Sequence, residues 1–361
     1  MTQEPTKSQV RVLIADDSAF MRTALSRMVA SDPDLWVVGT ASNGNEVLDK
    51  VVALDPDVIT LDVQMPGLDG IETLRCLMAR YPRPVIMVSS VTLRDAETTF
   101  NALSAGAFDY VPKQLSSTSL DIMHIREDLV SKIKAAGEVR RSRVSSATRR
   151  RPPSSVGQPS SDVLPSTTSI IALGTSTGGP KALQDILPVL PADLAVPILV
   201  VQHMPAGFTG PFAERLNNLC KVAVCEAATG QPAEPGTVYI APAGLHMTVE
   251  RGGDARAVIR LSVQPEKQLH CPSVDVMMCS AAAAFQSHVF GIIMTGMGSD
   301  GALGMKAIHQ AGGWTIGQDE ESCAVYGMPR TCAEQGLLRK VVPLTQIPHE
   351  ILQATRYRKL A

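Results

Sequence analysis

Alternating short apolar strands and amphipathic helices between residues 10 and 128 constrain the fold of this chain most strongly. Five short apolar segments rich in Val and Ile predict strands, and each precedes a segment with helical spacing of apolar residues. The predicted strands are Val10–Ala15, Trp36–Ala41, Val58–Leu61, Val85–Val88 and Phe108–Val111. Because strands that alternate with helices form parallel sheets, we predict a doubly wound α/β domain. The ligand of such a sheet binds beyond the carboxyl ends of its strands.

Residues at those strand ends predict phosphoryl chemistry. Three carboxylates, of Asp16, Asp17 and Asp62, are expected at this edge together with the hydroxyl of Ser89 and the ammonium of Lys113. Converging carboxylates repel one another unless a cation holds them, and a highly charged set of oxygen ligands suits Mg²⁺. We therefore interpret the edge as an aspartate that accepts a phosphoryl group beside Mg²⁺. The alternative is that these acids only cap helices.

Residues 129–168 are predicted to link two domains. A last helix is expected over residues 122–136, and from Glu138 to Thr168 the chain is rich in Ser, Pro and Arg. A flexible, self-repelling tether is the default interpretation of that composition. A nucleic-acid-binding patch is the alternative, although the arginines are not interleaved with aromatic residues. We place the two domains at residues 10–128 and 169–358, after a disordered N-terminus at residues 1–9.

A glycine-rich turn around Ser176 organises the second domain. Residues 169–173 form an apolar run that predicts a buried strand, and Pro180 with the apolar spacing after it predicts a helix. Gly174, Ser176 and Gly178 form a G-x-S-x-G pattern, in which small neighbours let a serine lie exposed on a tight turn. The N–H groups at the start of the following helix could stabilise an oxyanion. A structural turn or a phosphate-binding loop is the alternative.

Two further strand-end residues complete a candidate catalytic triad. A predicted strand over Ala195–Val201 ends beside His203, and a predicted strand over His288–Thr295 leads to Asp300. At the ends of parallel strands, His203 could accept the Ser176 proton while Asp300 holds the imidazole tautomer. The chain order Ser, His, Asp differs from the Ser, Asp, His order of α/β-hydrolases, so the turn motif does not assign that fold.

A dinucleotide site is the competing interpretation of the loop that carries Asp300. Gly296, Gly298 and Gly301 form a G-x-G-x-x-G pattern between a predicted strand and a predicted helix. Asp319 follows close to the spacing expected of a ribose-binding acid. A nicotinamide oxidoreductase is therefore an alternative, although it leaves Ser176 without a role.

Composition and charge indicate a globular protein without a membrane segment. Hydrophobic residues make up 45% of the chain, and the net charge of −2 provides no general attraction to nucleic acid. No apolar run reaches the roughly 18 residues of a membrane helix, and the N-terminus lacks the apolar core of a signal peptide. Seven cysteines without a C-x-x-C pair fit reduced thiols. We expect a cytoplasmic protein that neither binds nucleic acid nor inserts into a membrane.

Residues 10–128 resemble a response-regulator receiver domain, whose fold is flavodoxin-like. The matching motifs are Val12-Leu-Ile-Ala-Asp-Asp-Ser18, Leu61-Asp-Val-Gln-Met-Pro-Gly-Leu-Asp-Gly70 and Asp109-Tyr-Val-Pro-Lys113. The resemblance implies that Asp62 is the phosphoacceptor. It implies that Mg²⁺ binds Asp17, Asp62 and the Gln64 carbonyl, with Asp16 supporting the ion through water. It also implies that the phosphorylation switch uses Ser89, Tyr110 and Lys113.

Residues 169 to about 355 resemble the catalytic domain of the chemotaxis protein-glutamate methylesterases, the CheB family. The matching motifs are Gly174-Thr-Ser-Thr-Gly-Gly-Pro180, Gln202-His-Met-Pro205, Pro235-Gly-Thr-Val-Tyr-Ile-Ala-Pro242, Pro272-Ser-Val-Asp275, Met294-Thr-Gly-Met-Gly-Ser-Asp-Gly301 and Ala324-Val-Tyr-Gly-Met-Pro-Arg330. With the receiver, the resemblance covers nearly the whole chain. One departure is Cys271, which follows His270 where the family often has an arginine.

This second resemblance implies a phosphorylation-regulated hydrolase of bacterial chemotaxis. Its substrates would be glutamyl methyl esters on methyl-accepting chemoreceptors, and the same chemistry would deamidate receptor glutamines. Ser176 would be the nucleophile, His203 the base and Asp300 its partner, with an oxyanion hole made by the N–H groups of Thr177 and Met297.

The family also implies how the activity is controlled. The esterase step would need no cofactor, whereas phosphorylation would need Mg²⁺ and a histidine kinase of the chemotaxis type. An unphosphorylated receiver would cover the Ser176 crevice. Three alternatives stay open for the second domain: a receiver-controlled DNA-binding regulator, a nicotinamide oxidoreductase and an inactive scaffold.

Overall fold

A computed structural model describes residues 9–90, 93–113, 119–147, 168–253, 256–266 and 268–356 of the protein. The chain divides into two compact units between residues 158 and 159. The predicted disordered N-terminus lies outside the described residues except for Gln9, and so does the predicted linker between residues 148 and 167. Each unit is built on its own parallel sheet.

The first unit alternates five strands with five helices, as its apolar spacing predicts. These elements are β1 (Val10–Ala15), α1 (Ala19–Ala30), β2 (Leu35–Ala41), α2 (Gly44–Leu54), β3 (Val58–Asp62), α3 (Gly70–Arg80), β4 (Val85–Ser89), α4 (Leu93–Ser104), β5 (Asp109–Pro112) and α5 (Ser119–Ala147). All strands are parallel, in the order β2-β1-β3-β4-β5. This is the flavodoxin-like order, so the predicted doubly wound fold is confirmed.

Local sequence explains where the first three helices of this unit begin. The side chains of Ser18, Asn43 and Asp69 each accept a hydrogen bond from the backbone N–H three residues later. Such N-caps satisfy donors that the helix itself leaves unpaired. Apolar residues of α1 and α5 bury one face of the sheet, including Val12 and Ile14 of β1.

The predicted boundary of the first domain at residue 128 is wrong. Helix α5 continues to Ala147, and Leu129 and Ile133 are fully buried in the core of this unit. Beyond the apolar stripe, the guanidinium of Arg140 pairs with the carboxylates of Asp55 and Asp57. Residues 129–147 therefore belong to the helix rather than to a linker.

In its described residues, the second unit contains ten strands. Its elements are β6 (Ile170–Thr175), α6 (Gly179–Ile186), β7 (Ile198–Gln202), α7 (Thr209–Leu219), β8 (Ala223–Glu226), β9 (Pro232–Ala233), β10 (Thr237–Ile240), β11 (His246–Arg251), β12 (Ala257–Ser262), α8 (Val274–Phe285), β13 (Val289–Ile293), α9 (Ala302–Gln310), β14 (Trp314–Gln318), α10 (Met328–Glu334), β15 (Lys340–Val342) and α11 (Ile347–Ala354), with short 3₁₀ turns at 187–189, 286–288 and 344–346. Seven strands form a parallel sheet in the order β15-β14-β13-β6-β7-β10-β8. A second parallel α/β sheet was predicted and is confirmed.

The sequence order of these strands places a crevice at the middle of the sheet. From β6 the chain builds one side through β7, β10 and β8, and later returns to build the other side through β13, β14 and β15. Open sheets of this kind bind ligands where the strand order reverses, beyond the carboxyl ends. Helix α8 packs against β6 and β11, and β11 and β12 form an antiparallel hairpin. Among the described helices, none combines the length and apolar character needed to cross a bilayer.

Candidate active site

Three predicted site residues follow three adjacent strands of the second sheet. Ser176 follows β6, His203 follows β7, and Asp300 lies in the loop after β13. Thr175 and Gln202 are paired in register, so Ser176 and His203 occupy equivalent positions one residue beyond neighbouring strand ends. Neighbouring strands lie about 5 Å apart. The fold therefore brings the hydroxyl, imidazole and carboxylate of the predicted triad to one edge of the sheet.

His203 and Asp300 are directly hydrogen-bonded. The distance between Nε2 of His203 and Oδ2 of Asp300 is 2.8 Å, and the side chains are only 10% and 9% exposed. The Asp300 carboxylate lies at the start of helix α8. Its other donors are Ser273 Oγ at 2.9 Å, Val274 N at 2.7 Å, Asp275 N at 3.0 Å and Gly301 N at 3.1 Å.

These contacts determine the charge of Asp300. Burial alone would raise the pKa of its carboxyl group, but the hydrogen bond and charge of His203, with backbone N–H groups at the start of α8, outweigh burial. The pKa of Asp300 is consequently held well below its usual range. Asp300 is an anion at neutral pH and can only accept hydrogen bonds.

An acceptor-only Asp300 also determines the tautomer of His203. Nε2 must carry the ring proton in order to donate to Asp300, which leaves Nδ1 with a lone pair. In the described part of the chain, Nδ1 is buried and has no hydrogen-bond partner. His203 therefore presents an unprotonated ring nitrogen that can accept a proton.

The turn that carries Ser176 depends on two glycines. Gly178 has a φ of +77°, a conformation that side chains with a Cβ rarely adopt. A Cβ on Gly179 would lie 2.0 Å from Oε1 of Gln202. The turn is closed by a hydrogen bond from Gly179 N to Ser176 O, and Ser176 itself is half-buried rather than enclosed. The predicted strand, turn and helix are all present.

The loop after β13 lies against the Ser176 turn. A Cβ placed on Gly296 would be 2.8 Å from the Cβ of Ser176, so only glycine permits this approach. The next residue, Met297, is thereby brought beside the serine. In the described part of the chain, the N–H groups of Thr177 and Met297 donate to no protein acceptor. Both are available as the predicted oxyanion donors.

Several residues around the triad were not predicted to have roles there. The rings of His270 and His203 stack with centroids 4.1 Å apart and planes inclined by 18°. Ser273 donates to Asp300 and also caps helix α8 by accepting from Val276 N. Ser273 could have been recognised from the sequence as an N-cap, because a serine often precedes an apolar helix. The stacking of the two histidines depends on tertiary contact alone. Cys271 is exposed, and burial of part of its surface raises the pKa of its thiol, so its side chain is neutral at neutral pH.

The glycine pattern that suggested a dinucleotide site belongs to this same loop. Gly296 packs against Ser176, and Gly301 begins helix α9 with a φ of +98°. The carboxylate of Asp319 accepts hydrogen bonds from the N–H and hydroxyl of Ser322, which closes a local turn.

In the first unit, the predicted acidic residues converge at the carboxyl edge of the sheet. Oxygen atoms of Asp16, Asp17 and Asp62 lie within 4.8 Å of one another. Asp16 and Asp62 are buried, and Nζ of Lys113 lies 3.0 Å from Asp16 and 2.6 Å from Asp62. Burial raises the pKa of Asp62 to about 6, despite the opposing effects of Lys113. Gln64 is adjacent, and its backbone N–H donates to Asp62 at 3.1 Å.

This cluster fits a small divalent cation. It provides carboxylate oxygens from three residues, two of them buried, and hard oxygen ligands of high charge match Mg²⁺. The raised pKa of Asp62 shows that desolvation of its negative charge is not fully offset by the single ammonium nearby. A cation here would supply the missing positive charge.

The predicted switch residues are buried close to this cluster. Ser89 accepts a hydrogen bond from the hydroxyl of Thr99 at 2.8 Å, at the end of β4. Tyr110 is 2% exposed and meets the ring of Phe100 edge-on, with centroids 6.5 Å apart. Nζ of Lys132 lies 5.4 Å from the centre of the Tyr110 ring.

Comparison with known proteins identifies relatives of both units. Models of the CheB methylesterase family and of the response regulator receiver domain match residues 171–351 and 12–123. Protein-glutamate methylesterase/protein-glutamine glutaminase 1 of Oleidesulfovibrio alaskensis is 43% identical over 366 residues, which covers 96% of this chain and 99% of the relative. A protein-glutamate methylesterase/protein-glutamine glutaminase of Symbiobacterium thermophilum is 45% identical over 357 residues, which covers 96% of this chain and 97% of the relative. The crystal structure of the Thermotoga maritima CheB methylesterase catalytic domain is similar with a TM-score of 0.50 and 37% identity, covering 52% of this chain and 98% of that one.

Proposed function

This chain belongs to the CheB methylesterase family, and from that membership we propose that it is a receiver-regulated protein-glutamate methylesterase and protein-glutamine glutaminase. The single observation that carries the proposal is the 2.8 Å bond between His203 and Asp300 at the same sheet edge as the Ser176 turn. The substrates are glutamyl methyl esters on methyl-accepting chemoreceptors, and the reaction serves bacterial chemotaxis. The protein acts in the cytoplasm and neither binds nucleic acid nor inserts into a membrane.

Acylation begins with proton transfer from Ser176 to His203. Nδ1 accepts the proton while Oγ attacks the ester carbonyl, and the carbonyl oxygen becomes an oxyanion held by the N–H groups of Thr177 and Met297. The imidazolium is stabilised by the anionic carboxylate of Asp300. Collapse of the tetrahedral intermediate breaks the ester C–O bond. The departing methoxide takes the proton from Nδ1 and leaves as methanol.

Deacylation repeats these steps with water as the nucleophile. His203 takes a proton from water, hydroxide adds to the acyl carbonyl, and the Ser176 oxygen leaves with the proton from the ring. The products are free glutamate and the regenerated serine. With glutamine as substrate the leaving group is ammonia instead of methanol, and the acyl-enzyme is the same.

The receiver supplies the control of this activity. Asp62 accepts a phosphoryl group from a histidine kinase of the chemotaxis type, and its raised pKa is consistent with a partly desolvated carboxylate beside Lys113. Asp17, Asp62 and the Gln64 carbonyl would hold Mg²⁺, with Asp16 supporting it through water, and the ion would supply positive charge to the transferring phosphoryl group. Ser89, Lys113 and Tyr110 then respond to the phosphate. The phosphoryl group on Asp62 favours the active state only if it interacts more favourably with that state than with the inhibited one.

Methanol release from methylated receptor membranes tests the proposed activity. We expect release by the wild-type protein, an increase after acetyl phosphate and Mg²⁺ are added, and no release by Ser176→Ala. Asp62→Asn should retain the basal rate and lose the response to acetyl phosphate. Turnover by Ser176→Ala would refute the nucleophile, whereas a response to acetyl phosphate in Asp62→Asn would refute the phosphoacceptor.

A further inference from the structure

Gln202 connects the two catalytic segments through its side chain. It is the last residue of β7, is 2% exposed, and directly precedes His203. Its Nε2 donates to the backbone carbonyl of Ser176 at 3.0 Å and to the carbonyl of His203 at 2.9 Å. Because both contacts are to carbonyl oxygens, the NH₂ group of this amide must face them, which fixes the orientation of the amide. The Gln202 side chain thus bonds to the backbones of both catalytic residues.

The pairing of β6 with β7 ends one residue before the two carbonyl groups that the Gln202 amide contacts. The last backbone link between the two segments runs from His203 N to Thr175 O, and it is long at 3.3 Å. Beyond it, the register of the two strands has ended, and the Ser176 carbonyl accepts from Gly179 N at 2.8 Å instead of from a strand. The Gln202 amide donates a hydrogen bond to each of these two carbonyls. It thereby fixes the distance between the Ser176 turn and the end of β7.

This amide is poorly arranged for stability alone. In the described part of the chain its Oε1 is buried with no hydrogen-bond partner, and a buried unsatisfied acceptor costs free energy that an apolar side chain of the same shape would avoid. Oε1 also occupies the space where a Cβ on Gly179 would be, which restricts that position to glycine. Locally unfavourable features of this kind are expected where function requires them.

We propose that Gln202 is a positioning residue of the esterase, which holds the Ser176 hydroxyl and the His203 ring at the separation needed for proton transfer. The inference rests on the proposed catalytic roles of Ser176 and His203. Nucleophilic attack requires the reacting atoms to be aligned at about 3–3.5 Å, and displacement by 1 Å can cost about 100-fold in rate. Gln202 touches neither substrate nor reacting atoms, so its removal should lower kcat and leave KM unchanged.

Gln318 provides a matched control at the same edge of the sheet. It is the last residue of β14 and is fully buried. Its Oε1 accepts from Thr295 N at 2.9 Å, and its Nε2 donates to Ser322 O at 2.8 Å. This amide is satisfied on both sides and contacts neither Ser176 nor His203 directly. It reaches the site only through Thr295, whose carbonyl accepts from Ser176 N at 3.0 Å, so it serves as a control for the loss of a buried glutamine one contact further from the catalytic pair.

The test compares Gln202→Met with Gln318→Met in the full-length protein by two measurements. One is methanol release from methylated receptor membranes, which separates kcat from KM. The other is the rate at which a fluorophosphonate probe labels Ser176, which depends on the serine and its base but not on the physiological substrate. We expect Gln202→Met to lower both kcat and the labelling rate by about 10- to 100-fold with KM unchanged. Gln318→Met should lose at least as much thermal stability and retain both rates.

The outcomes distinguish this inference from the proposed function. Wild-type labelling rates in Gln202→Met, or equal losses of rate in both variants, would overturn the positioning role. Labelling of the wild type without methanol release would refute the methylesterase assignment, and the labelling comparison would still decide the role of Gln202. If Gln202→Met does not fold, Gln202→Glu keeps the shape and replaces the donor with an acceptor. That variant should also lose labelling, and wild-type labelling by it would overturn the inference.

Discussion

Replacing Asp300 by asparagine tests the tautomer assignment at the centre of the site. Oδ1 of Asp300 faces three donors, whereas Oδ2 faces the His203 ring and the N–H of Val274. An asparagine should place its oxygen on the Oδ1 side, because an amide nitrogen there would oppose three donors. Its nitrogen would then donate to Nε2 of His203. The ring proton would have to move to Nδ1, where it blocks acceptance of the Ser176 proton.

The expected loss follows from that exchange of tautomers. In a known serine protease triad, replacing the aspartate by asparagine leaves the imidazole in the wrong tautomer and lowers kcat by about 10⁴-fold. This corresponds to about 5.5 kcal/mol of transition-state stabilisation. KM should stay near the wild-type value, because no substrate contact is removed. The new amide nitrogen also opposes the N–H of Val274, so we expect a loss of about 1–3 kcal/mol in the free energy of unfolding.

The assay is methanol release by Asp300→Asn, with Asp275→Asn as control. Asp275 begins the same helix, but its carboxylate accepts from Gly304 N at 2.8 Å and does not contact His203. The control should therefore keep most of its activity. A kcat for Asp300→Asn within about tenfold of the wild type in a folded protein would refute the tautomer argument. Equal losses in both variants would refute it as well.

Two further predictions concern the receiver. Because burial raises the pKa of Asp62 from 3.8 to about 6, its contribution to stability is complete below the unfolded value and is lost as the pH rises through 6. Asp62→Asn should therefore raise the receiver Tm at pH 8 more than at pH 4, and an equal shift at both pH values would contradict this. Lys132→Met removes a buried ammonium 3.8 Å from the buried carboxylate of Asp109, so it should lower the free energy of unfolding by about 3–5 kcal/mol. Lys134→Met removes the ion pairs of a side chain that is 36% exposed, so it should cost about 1 kcal/mol or less in the same urea titration. Similar costs for both lysines would contradict the expected effect of burial.

Sequence patterns were sufficient for most of the fold because the decisive residues act locally. Val- and Ile-rich strands such as Val58–Asp62, and caps such as Ser18, determine their elements from neighbouring residues alone. The strands at one edge of the second sheet were not predicted. β15 has only three residues, and β14 (Trp314–Gln318) follows directly on the glycines after α9, so neither forms a long periodic segment.

Long-range contacts account for the remaining differences. The length of α5 could not be predicted, since the arginines beyond its apolar stripe find partners such as Asp55, 85 residues earlier in the chain. The three residues of the predicted triad could be placed together because the strand ends of a parallel sheet meet at one edge. No site role was predicted for Gln202, His270 or Ser273, because their contacts depend on how three separate segments pack.

Detection of an acyl-enzyme on Ser176 tests the central claim most directly. The wild-type protein is mixed with methylated receptor, quenched with acid within a turnover, and digested for mass spectrometry. We expect a receptor-derived glutamyl adduct on Ser176 that disappears as methanol release is completed. The adduct should be absent from Ser176→Ala. An adduct on another residue, or complete methanol release with no adduct at any quench time and full activity in Ser176→Ala, would contradict this claim.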